Sequence, residues 1–317
     1  MDRQTTMSPQ PTLYSVQPSP KAGQLSVEQV WSQDGSAPLA TGYRHLFPTT
    51  VGDAPYLIGV NSANEASAFR FDKGEGWIAP IESHLDIGGP WDVIEPFVIG
   101  NTPHLMAYAS GDGVFAFIPL GEDLSTKPLY RYSRRHAPGL TTGFDVAHPI
   151  TIDGAVYYLC YSFSGGQVYI YSLAVTASAP SGRAPLVSNP VWLHQWARSW
   201  TRFAFFELGG ETFFLKTNVG RLNVNIDHVR DNPADGTVEV GTYLDLEDAL
   251  ALDIVRPFYL GAGNPYFLTY MKDGKTTLNR FHGDCQGWAT EARLTTVSDA
   301  TQIVPIQLGE VCYLLFC

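Results

Sequence analysis

The sequence predicts an all-β fold, and three features of its 317 residues support that expectation. Aromatic residues make up 13% of the chain, and they favour the pleated, half-buried surface of a sheet. The 30 glycines and 22 prolines divide the chain into short segments separated by turns. Charged residues account for only 16%, against ~25% in an average globular domain. This balance argues against a helical bundle and against a disordered chain.

One sequence unit recurs along the chain. It consists of an apolar strand that often ends in proline, a glycine turn, a strand rich in Tyr, Phe and Leu, a tight hairpin, and two further strands. The hairpin tips lie near Asn64, Asp112, Gly165, Val219 and Asp273, at spacings of about 48, 53, 54 and 54 residues. Glycine at most of these tips supplies the positive φ that a tight hairpin needs. A period of this length is typical of a four-stranded propeller blade.

Six first strands can be aligned, at 41–48, 91–97, 144–150, 199–206, 252–258 and 300–306. The sixth unit stops after its second strand, EVCYLLFC (310–317), and LYSVQP (13–18) and GQLSVEQVW (23–31) are expected to supply its third and fourth strands. A sheet built from both ends of the chain closes the ring through backbone hydrogen bonds and removes open edges. The sequence therefore predicts one six-bladed β-propeller domain over 12–317, after a disordered tail over 1–11.

Two segments depart from the repeat. LEDALALD (246–253) is expected to form a turn or two of helix. The Pro- and Ser-rich stretch at 177–190 is expected to be an exposed loop of the third blade, because the repeat continues beyond it.

Charge and motifs limit the partners. The net charge is −11 at pH 7, and an acidic surface repels phosphate backbones and anionic lipids, so we expect neither nucleic acid nor a membrane as partner. No signal peptide is recognisable, and the four cysteines are expected to be reduced core thiols in a cytoplasmic protein. Walker, GxGxxG, GxSxG, HExxH and EF-hand motifs are absent, so we expect no cofactor and no metal, and a small molecule as ligand.

Polar residues occupy the predicted inner strands. The residue before the proline is Glu95, His148 or Arg256 in three units, and Arg202 and His45 lie at comparable depth. Six inner strands surround one axis, and buried charge is costly unless it is paired or hydrated, so these groups are expected to line a watery channel. We expect His148 to act as acid or base with Glu95 as its orienting partner, and Arg256 and Arg202 to stabilise developing negative charge.

Further residues are expected to hold a ligand or to build the hub. The aromatic run at 192–206 is interpreted either as blade packing or as a stacking wall, and the basic run at 130–139 either as a solvated loop or as an anion clamp. The expected substrate-binding residues are Trp200, Phe203, His45, Trp91, Tyr43 and Arg135. A repeated aspartate, at Asp92, Asp145 and Asp253, is expected to tie loops between blades through backbone N–H groups, with a cation-binding ring or substrate contact as alternatives.

The repeat resembles two families of propellers. Trp77 and Trp288 recur at like places in two units, and in this respect the chain is similar to the six-bladed fungal fucose-binding lectins. Those lectins combine an aromatic residue with an Arg and a Glu between blades, and this sequence has no Arg and Glu at fixed offsets from the two tryptophans. In its aromatic pocket on a propeller, the chain is also similar to propeller-type cyclases of natural-product pathways, such as the hetero-Diels–Alderases.

The residues and the resemblances together lead to one functional hypothesis and two alternatives. The first is a cofactor-independent enzyme that acts on a small, mostly apolar molecule at the channel mouth. Cyclisation, isomerisation, cycloaddition such as a hetero-Diels–Alder reaction, and hydrolysis all fit this hypothesis, because they need only shape, hydrogen bonds and one acid or base. The alternatives are a carbohydrate-binding propeller without catalysis and a protein-docking scaffold.

Overall fold

The structure is a computed structural model, and it describes residues 10–21, 23–33, 39, 42–99, 101–126, 130–132, 142–175, 186–187, 190–218, 223–232, 237–246, 252–261 and 263–317. Within these residues the chain forms β-strands almost throughout, with one short 3₁₀ helix at Lys73–Glu75. The strands form six antiparallel sheets, each with a four-stranded path. The chain is a six-bladed β-propeller, as the sequence predicts.

The strands follow one another blade by blade. The chain begins with β1 (Thr12–Pro18) and β2 (Leu25–Ser32). The first blade contains β3 (Tyr43–Val51), β4 (Ala54–Asn61), β5 (Ala66–Asp72) and β6 (Trp77–Ile81). The second contains β7 (Val93–Ile99), β8 (Thr102–Ala109), β9 (Val114–Pro119) and β10 (Tyr130–Tyr132). The third contains β11 (Val146–Ile152), β12 (Ala155–Tyr161), β13 (Gln167–Val175), β14 (Leu186–Val187) and β15 (Pro190–Gln195).

Two more blades and a final strand pair complete the chain. The fourth blade contains β16 (Trp200–Leu208), β17 (Glu211–Asn218), β18 (Asn223–Asn232) and β19 (Thr237–Leu246). The fifth contains β20 (Ile254–Leu260), β21 (Asn264–Tyr270), β22 (Lys275–Phe281) and β23 (Trp288–Thr295). The last two strands are β24 (Ile303–Leu308) and β25 (Val311–Phe316).

The sixth blade is assembled from both ends of the chain. Its strand order is β24, β25, β1, β2, with β24 innermost. Strand β1 runs antiparallel to β25, with Thr12 opposite Phe316 and Val16 opposite Cys312. This pairing confirms that the N-terminal segments supply the third and fourth strands. It also closes the ring through main-chain hydrogen bonds.

Proline marks the innermost strand of most blades. Five of the six inner strands contain one, at Pro48, Pro96, Pro149, Pro257 and Pro305. An innermost strand has a neighbour on one side only, so it tolerates a residue that lacks an N–H on the other side. The repeated proline therefore follows from the position of these strands at the hub, and it identifies that position in the sequence.

The hydrophobic core lies between the blades. Among the described residues, one apolar cluster occupies each of the six junctions between neighbouring sheets. Phe206 of the fourth blade stacks on Phe281 of the fifth, with ring centroids 3.9 Å apart. The ring centroids of Trp77 in the first blade and Tyr313 in the sixth lie 5.1 Å apart. Both faces of every sheet are thus largely buried, and most of the exposed polar positions lie at the hub and at the outer edges.

Some expectations fall on residues that the structure does not describe. These are most of the N-terminal tail, the centre of the segment expected to be helical, and most of the loop at 177–190. All four cysteines are free thiols, and Cys160, Cys285 and Cys312 are buried. In the described part of the chain, no helix has the length and apolar character needed to cross a bilayer.

Candidate functional site

The six inner strands surround a cavity of about 780 Å³ at the hub. Each of β3, β7, β11, β16, β20 and β24 contributes to its wall, and Phe163 joins them from the hairpin after β12. A cavity of this volume suits a small organic ligand. Glu95, His148, Arg202 and Arg256, which the sequence predicts at a central channel, line this cavity.

Three successive inner strands bring Glu95, His148 and Phe205 together. Nδ1 of His148 lies 3.6 Å from Oε2 of Glu95. The imidazole ring stacks on the phenyl ring of Phe205, with centroids 3.9 Å apart and planes inclined by 11°. The side chains of His148 and Glu95 are 28% and 36% exposed, so a ligand can reach both. Nε2 of His148 has no hydrogen-bond partner among the described residues and is the ring nitrogen open to a ligand.

The two arginines of the hub each bind the backbone of the next blade. Nε of Arg202 donates to the carbonyl of Asp253, at 2.5 Å. Nε of Arg256 donates to the carbonyl of Ile303, at 3.3 Å. The two guanidinium groups therefore have a structural role as ties between the fourth, fifth and sixth blades. Sequence reasoning did not anticipate this role, because it depends on the geometry of the junction.

Two other junctions use the same kind of tie. Nε2 of His45 lies 3.2 Å from the carbonyl oxygen of Trp91 in the second blade. A carbonyl can only accept, so this nitrogen carries the proton. Nε2 of Gln302 donates to the carbonyl of Tyr43 at 2.5 Å and joins the sixth blade to the first.

The six junctions of the hub differ in how their inner strands are joined. Four junctions have a side chain of one inner strand bound to a carbonyl at the start of the next. At the junctions on either side of the third blade, the inner-strand side chains in the described structure contact each other instead: Glu95 faces His148, and His148 stacks on Phe205. The hub is therefore asymmetric in the one sector that contains a carboxylate and an imidazole in contact.

Burial and nearby charges act in opposite directions on the hub groups. Burial lowers the pKa of Arg256, and the Glu95 carboxylate counteracts part of this shift. Burial also lowers the pKa of His45, while its hydrogen bond to Trp91 and the charge of Glu95 oppose the shift. Because Glu95 acts on both groups as well as facing His148, it is a central negative charge of the cavity.

The repeated aspartates serve the blade to which each belongs. Oδ2 of Asp92, Asp145 and Asp253 accepts a backbone N–H from the start of the hairpin between the second and third strands of the same blade. The donors are Ser110 (2.8 Å), Phe163 (2.7 Å) and Lys272 (2.8 Å). The predicted bond to backbone N–H groups is thus present, but it lies within a blade, and the expected tie between blades is wrong. The described residues contain no group of three or more His, Cys, Asp or Glu side chains placed to hold a metal ion.

The expected substrate-binding residues separate into two groups. Phe203 and His45 line the cavity. The structure places Trp91, Trp200 and Tyr43 in the packing between blades, away from the cavity wall. Arg135 lies outside the described residues.

Contacts within the core hold two of these side chains, Trp91 and Trp200, away from the cavity. Trp91 is 3% exposed, and its Nε1 donates to the carbonyl of Ile87 at 2.7 Å. Trp200 is buried, and Nζ of Lys216 lies 4.8 Å from its ring centroid. Lys216 in turn forms a buried ion pair with Asp227 on the neighbouring strand. The residues flanking the inner strands thus belong to the core.

Sequence reasoning singled out neither Phe163 nor Phe205, which both line the cavity, although Phe205 lies within the aromatic run at 192–206. By strand pairing Phe205 occupies the position at which Pro48, Pro96, Pro149 and Pro257 stand in other blades. The absence of proline from the fourth unit was the available signal, because it marks the blade in which an aromatic ring replaces a pyrrolidine at the hub.

Comparison with solved structures supports the fold. The chain is similar to a candidate 6-phosphogluconolactonase from Bacteroides fragilis, with a TM-score of 0.55, 14% identity, and 96% of this chain and 89% of that chain covered. The periplasmic gluconolactonase PpgL of Pseudomonas aeruginosa matches with a TM-score of 0.52 and 14% identity, and the match covers 93% of this chain and 85% of that chain. A mutant of the fungal propeller lectin AofleA from Arthrobotrys oligospora matches with a TM-score of 0.51 and 9% identity, over 86% of this chain and 78% of that chain. At these identities the similarity shows the fold alone. No protein-family model and no curated protein sequence matches the chain.

Proposed function

We propose that this propeller is a cofactor-independent enzyme that acts on one small, mostly apolar molecule in the hub cavity, with His148 as general acid or base. The observation that carries the proposal is the contact of His148 with Glu95 on one side and Phe205 on the other. At four other junctions of the described hub, a side chain at or beside the inner strand is bound to a backbone carbonyl of the next blade. Here they leave a ring nitrogen free within a ligand-sized space.

The roles of the two polar residues follow from their geometry. The Glu95 carboxylate favours the tautomer with its proton on Nδ1, which leaves Nε2 as the base. The stack on Phe205 restricts rotation of the imidazole. An oriented acid or base of this kind accelerates proton transfer by ~10²–10⁴-fold. Glu95 is therefore a positioning residue, and His148 is the group that would touch the substrate.

The cavity wall supports an apolar substrate and an anionic transition state. Phe163, Phe203 and Phe205 supply aromatic surface, and the inner-strand prolines add more apolar wall. Arg202 and Arg256 are fixed by their bonds to neighbouring blades, so they can stabilise developing negative charge without reorganising.

Several reaction types need no more than these groups. Cyclisation, isomerisation, cycloaddition such as a hetero-Diels–Alder reaction, and hydrolysis each require shape, charge stabilisation and one proton transfer at most. The natural-product cyclases named above give one substrate class. Two of the similar structures are named as lactonases, so small lactones are a reasonable first panel for hydrolysis.

The alternative function is carbohydrate binding without catalysis. Trp77 and Trp288 begin the fourth strands of the first and fifth blades, as the comparison with lectins requires of a recurring aromatic. Trp77 contacts Phe71 and Tyr313, and Trp288 contacts Phe267, so both rings also serve blade packing. A lectin would present several equivalent sites per chain.

The test combines stoichiometry with activity. Small lactones, and ligands that co-purify with the protein, would be titrated against it and followed by native mass spectrometry. One ligand per chain and turnover that is lost in His148→Ala support the enzyme. His282→Ala is the matched control, because His282 is exposed and lies outside the cavity. Several equivalent sites, or full turnover in His148→Ala, would contradict the proposal.

A further inference from the structure

Arg202 and Arg256 share one pattern of hydrogen bonds. In each, Nε donates to a carbonyl of the following blade. Nη1 of Arg202 donates to the carbonyl of Thr201 at 3.0 Å, and Nη1 of Arg256 donates to that of Val255 at 3.0 Å. In the part of the chain that the structure describes, neither Nη2 has an acceptor within hydrogen-bond distance. Two adjacent blades thus present the same unused donor at the cavity wall.

The unused donors belong to guanidinium groups that are already held in place. Two bonds to backbone carbonyls fix the plane of each group, so little freedom remains to be lost when a ligand binds. A partly shielded guanidinium gains from an anionic oxygen, because a charge-assisted hydrogen bond is roughly twice as strong as a neutral one. Each Nη2 group is therefore a donor that an anionic oxygen of a ligand would satisfy.

The form of the donor set indicates which anion fits. The charged neighbours that act on Arg256 are Glu95 and Arg202. The other carboxylates of the wall, Asp92, Asp145 and Asp253, each accept a backbone N–H of a rim hairpin. A carboxylate supplies two oxygens in one plane for two donors, and its single charge is repelled less by these acids than the charge of a dianionic phosphate.

We propose that the hub cavity binds the carboxylate of a small organic acid through the two Nη2 groups of Arg202 and Arg256, with the apolar body of the acid against the aromatic wall. This inference rests on the proposed function only in that the ligand enters the hub. It adds the substrate class: a monocarboxylate whose reacting atom lies within reach of His148. A carboxylate anchor acts in the ground state, so loss of the Nη2 contact raises KM, whereas loss of the charge stabilisation assigned to the same arginines in the proposed function lowers kcat.

The test compares acids with matched amides. Benzoate and 3-phenylpropanoate would be titrated into the intact protein by calorimetry and by ligand-observed NMR, beside benzamide, 3-phenylpropanamide and phenyl phosphate. The acids are expected to bind at one site per chain, and the amides about ten- to a hundredfold more weakly, as expected for hydrogen bonds to charged groups. This comparison uses the unaltered chain, so it does not depend on any variant folding.

Variants locate the site. Arg202→Gln and Arg256→Gln are each expected to weaken benzoate binding at least tenfold. Arg280→Gln is the control, because Arg280 is half-exposed and pairs with Glu291 at 2.7 Å on the outer part of the fifth blade. Circular dichroism would verify that each variant is folded, and Arg256→Lys, which keeps the charge and loses the fixed fork, should also bind more weakly.

The outcomes separate this inference from the proposed function. Equal binding of acids and amides, tighter binding of phenyl phosphate than of benzoate, or no acid binding at millimolar concentration would overturn the carboxylate site. Acid binding that survives in His148→Ala together with unchanged turnover in that variant would leave the site standing and contradict the acid–base role. If His148→Ala loses turnover while neither arginine variant weakens acid binding, the acid–base role would stand and the carboxylate site would be contradicted.

Discussion

The imidazole of His148 and the phenyl ring of Phe205 stack face to face across the junction between the third and fourth blades, 3.9 Å apart and inclined by 11°. The contact joins two inner strands that have no backbone tie of the kind found at four other junctions in the described hub. It therefore contributes both to the closure of the ring and to the orientation of the hub imidazole that also faces the carboxylate of Glu95.

Replacing the ring of Phe205 tests this double role. We expect Phe205→Leu to reduce the free energy of unfolding by ~0.5–1.5 kcal/mol, the value of an aromatic pair beyond its buried area. The same variant should lower kcat, because the imidazole is less restricted. Urea denaturation and steady-state kinetics measure the two effects. Unchanged stability and unchanged kcat together would show that the stack is incidental.

The pair of His148 and Glu95 makes separable predictions. We expect His148→Ala to lower the rate ~10²–10⁴-fold, the usual range for a lost general acid or base. Glu95→Gln should have a smaller effect, mainly on kcat, because the imidazole remains but its tautomer is no longer held. The equivalent change at an exposed residue, His282→Ala, should leave the rate unchanged. A larger loss in Glu95→Gln than in His148→Ala would reverse the assigned roles.

Stability should fall in mild acid because three partly buried histidines have lowered pKa values. Burial lowers the pKa of His45 below its ordinary value of 6.5, so the unfolded chain binds a proton more readily than the folded one. The contribution of His45 is therefore fully present above pH 6.5 and is lost as the pH falls through the lowered pKa. His104 and His228 are shifted in the same direction by burial and add to the effect.

The variant His45→Gln isolates this contribution. Glutamine can donate to the carbonyl of Trp91 as Gln302 does to that of Tyr43, and it does not titrate. Urea unfolding of both proteins at neutral and mildly acidic pH measures the difference. We expect a shallower loss of stability in the variant, and parallel curves would contradict the assignment to His45.

The buried ion pair of the fourth blade should be expensive to break on one side. Lys216 and Asp227 are 4% and 1% exposed, and the ammonium also lies 3.9 Å from the ring centroid of Trp196. Lys216→Met leaves the carboxylate buried without its cation, which costs ~3–5 kcal/mol. The double variant Lys216→Met/Asp227→Asn should recover part of this loss in urea denaturation. Equal stability of the single and double variants would argue against a coupled pair.

The N-terminal strand should be as important to stability as the interior of any other blade. Leu13 is fully buried in the junction between the sixth and first blades, and its strand partner across the closure is Leu315. We expect Leu13→Ala to cost ~2–5 kcal/mol, as for other buried leucines. Leu308→Ala is the control, since Leu308 is 38% exposed. A change no larger than that of the control would mean that the closing strand contributes little.

The architecture could be predicted because the repeat has a direct physical cause. Inner strands tolerate proline, hairpin tips need glycine, and a ring needs a closing pair, so the six inner strands and the N-terminal strands β1 and β2 were identifiable from local pattern. The orientation of side chains at the hub was not. Strand β3 shifts register between Tyr43 and His45, and β16 does so between Trp200 and Arg202.

A register shift moves the following side chains to the opposite face of the sheet. Simple alternation along the strand therefore no longer predicts on which face a side chain lies. This explains why Tyr43 and Trp200 lie in the core while His45 and Arg202 reach the cavity. The expectation that the aspartates tie neighbouring blades was wrong for a different reason. The sequence indicates that each carboxylate needs an N–H donor, but it does not show which blade supplies that donor. Phe205 was recognisable only by the missing proline, which gains meaning once the other five units are aligned.

The closing pair of strands also sets an order of events during synthesis. Five blades are each made from contiguous chain and can form as soon as their last strand has emerged from the ribosome. The sixth cannot, since Thr12 must wait for Phe316. Until then the hairpin of β1 and β2 has no sheet to join, and β1 presents one unpaired edge from its own synthesis until β25 has been made, an edge that a chaperone would have to shield.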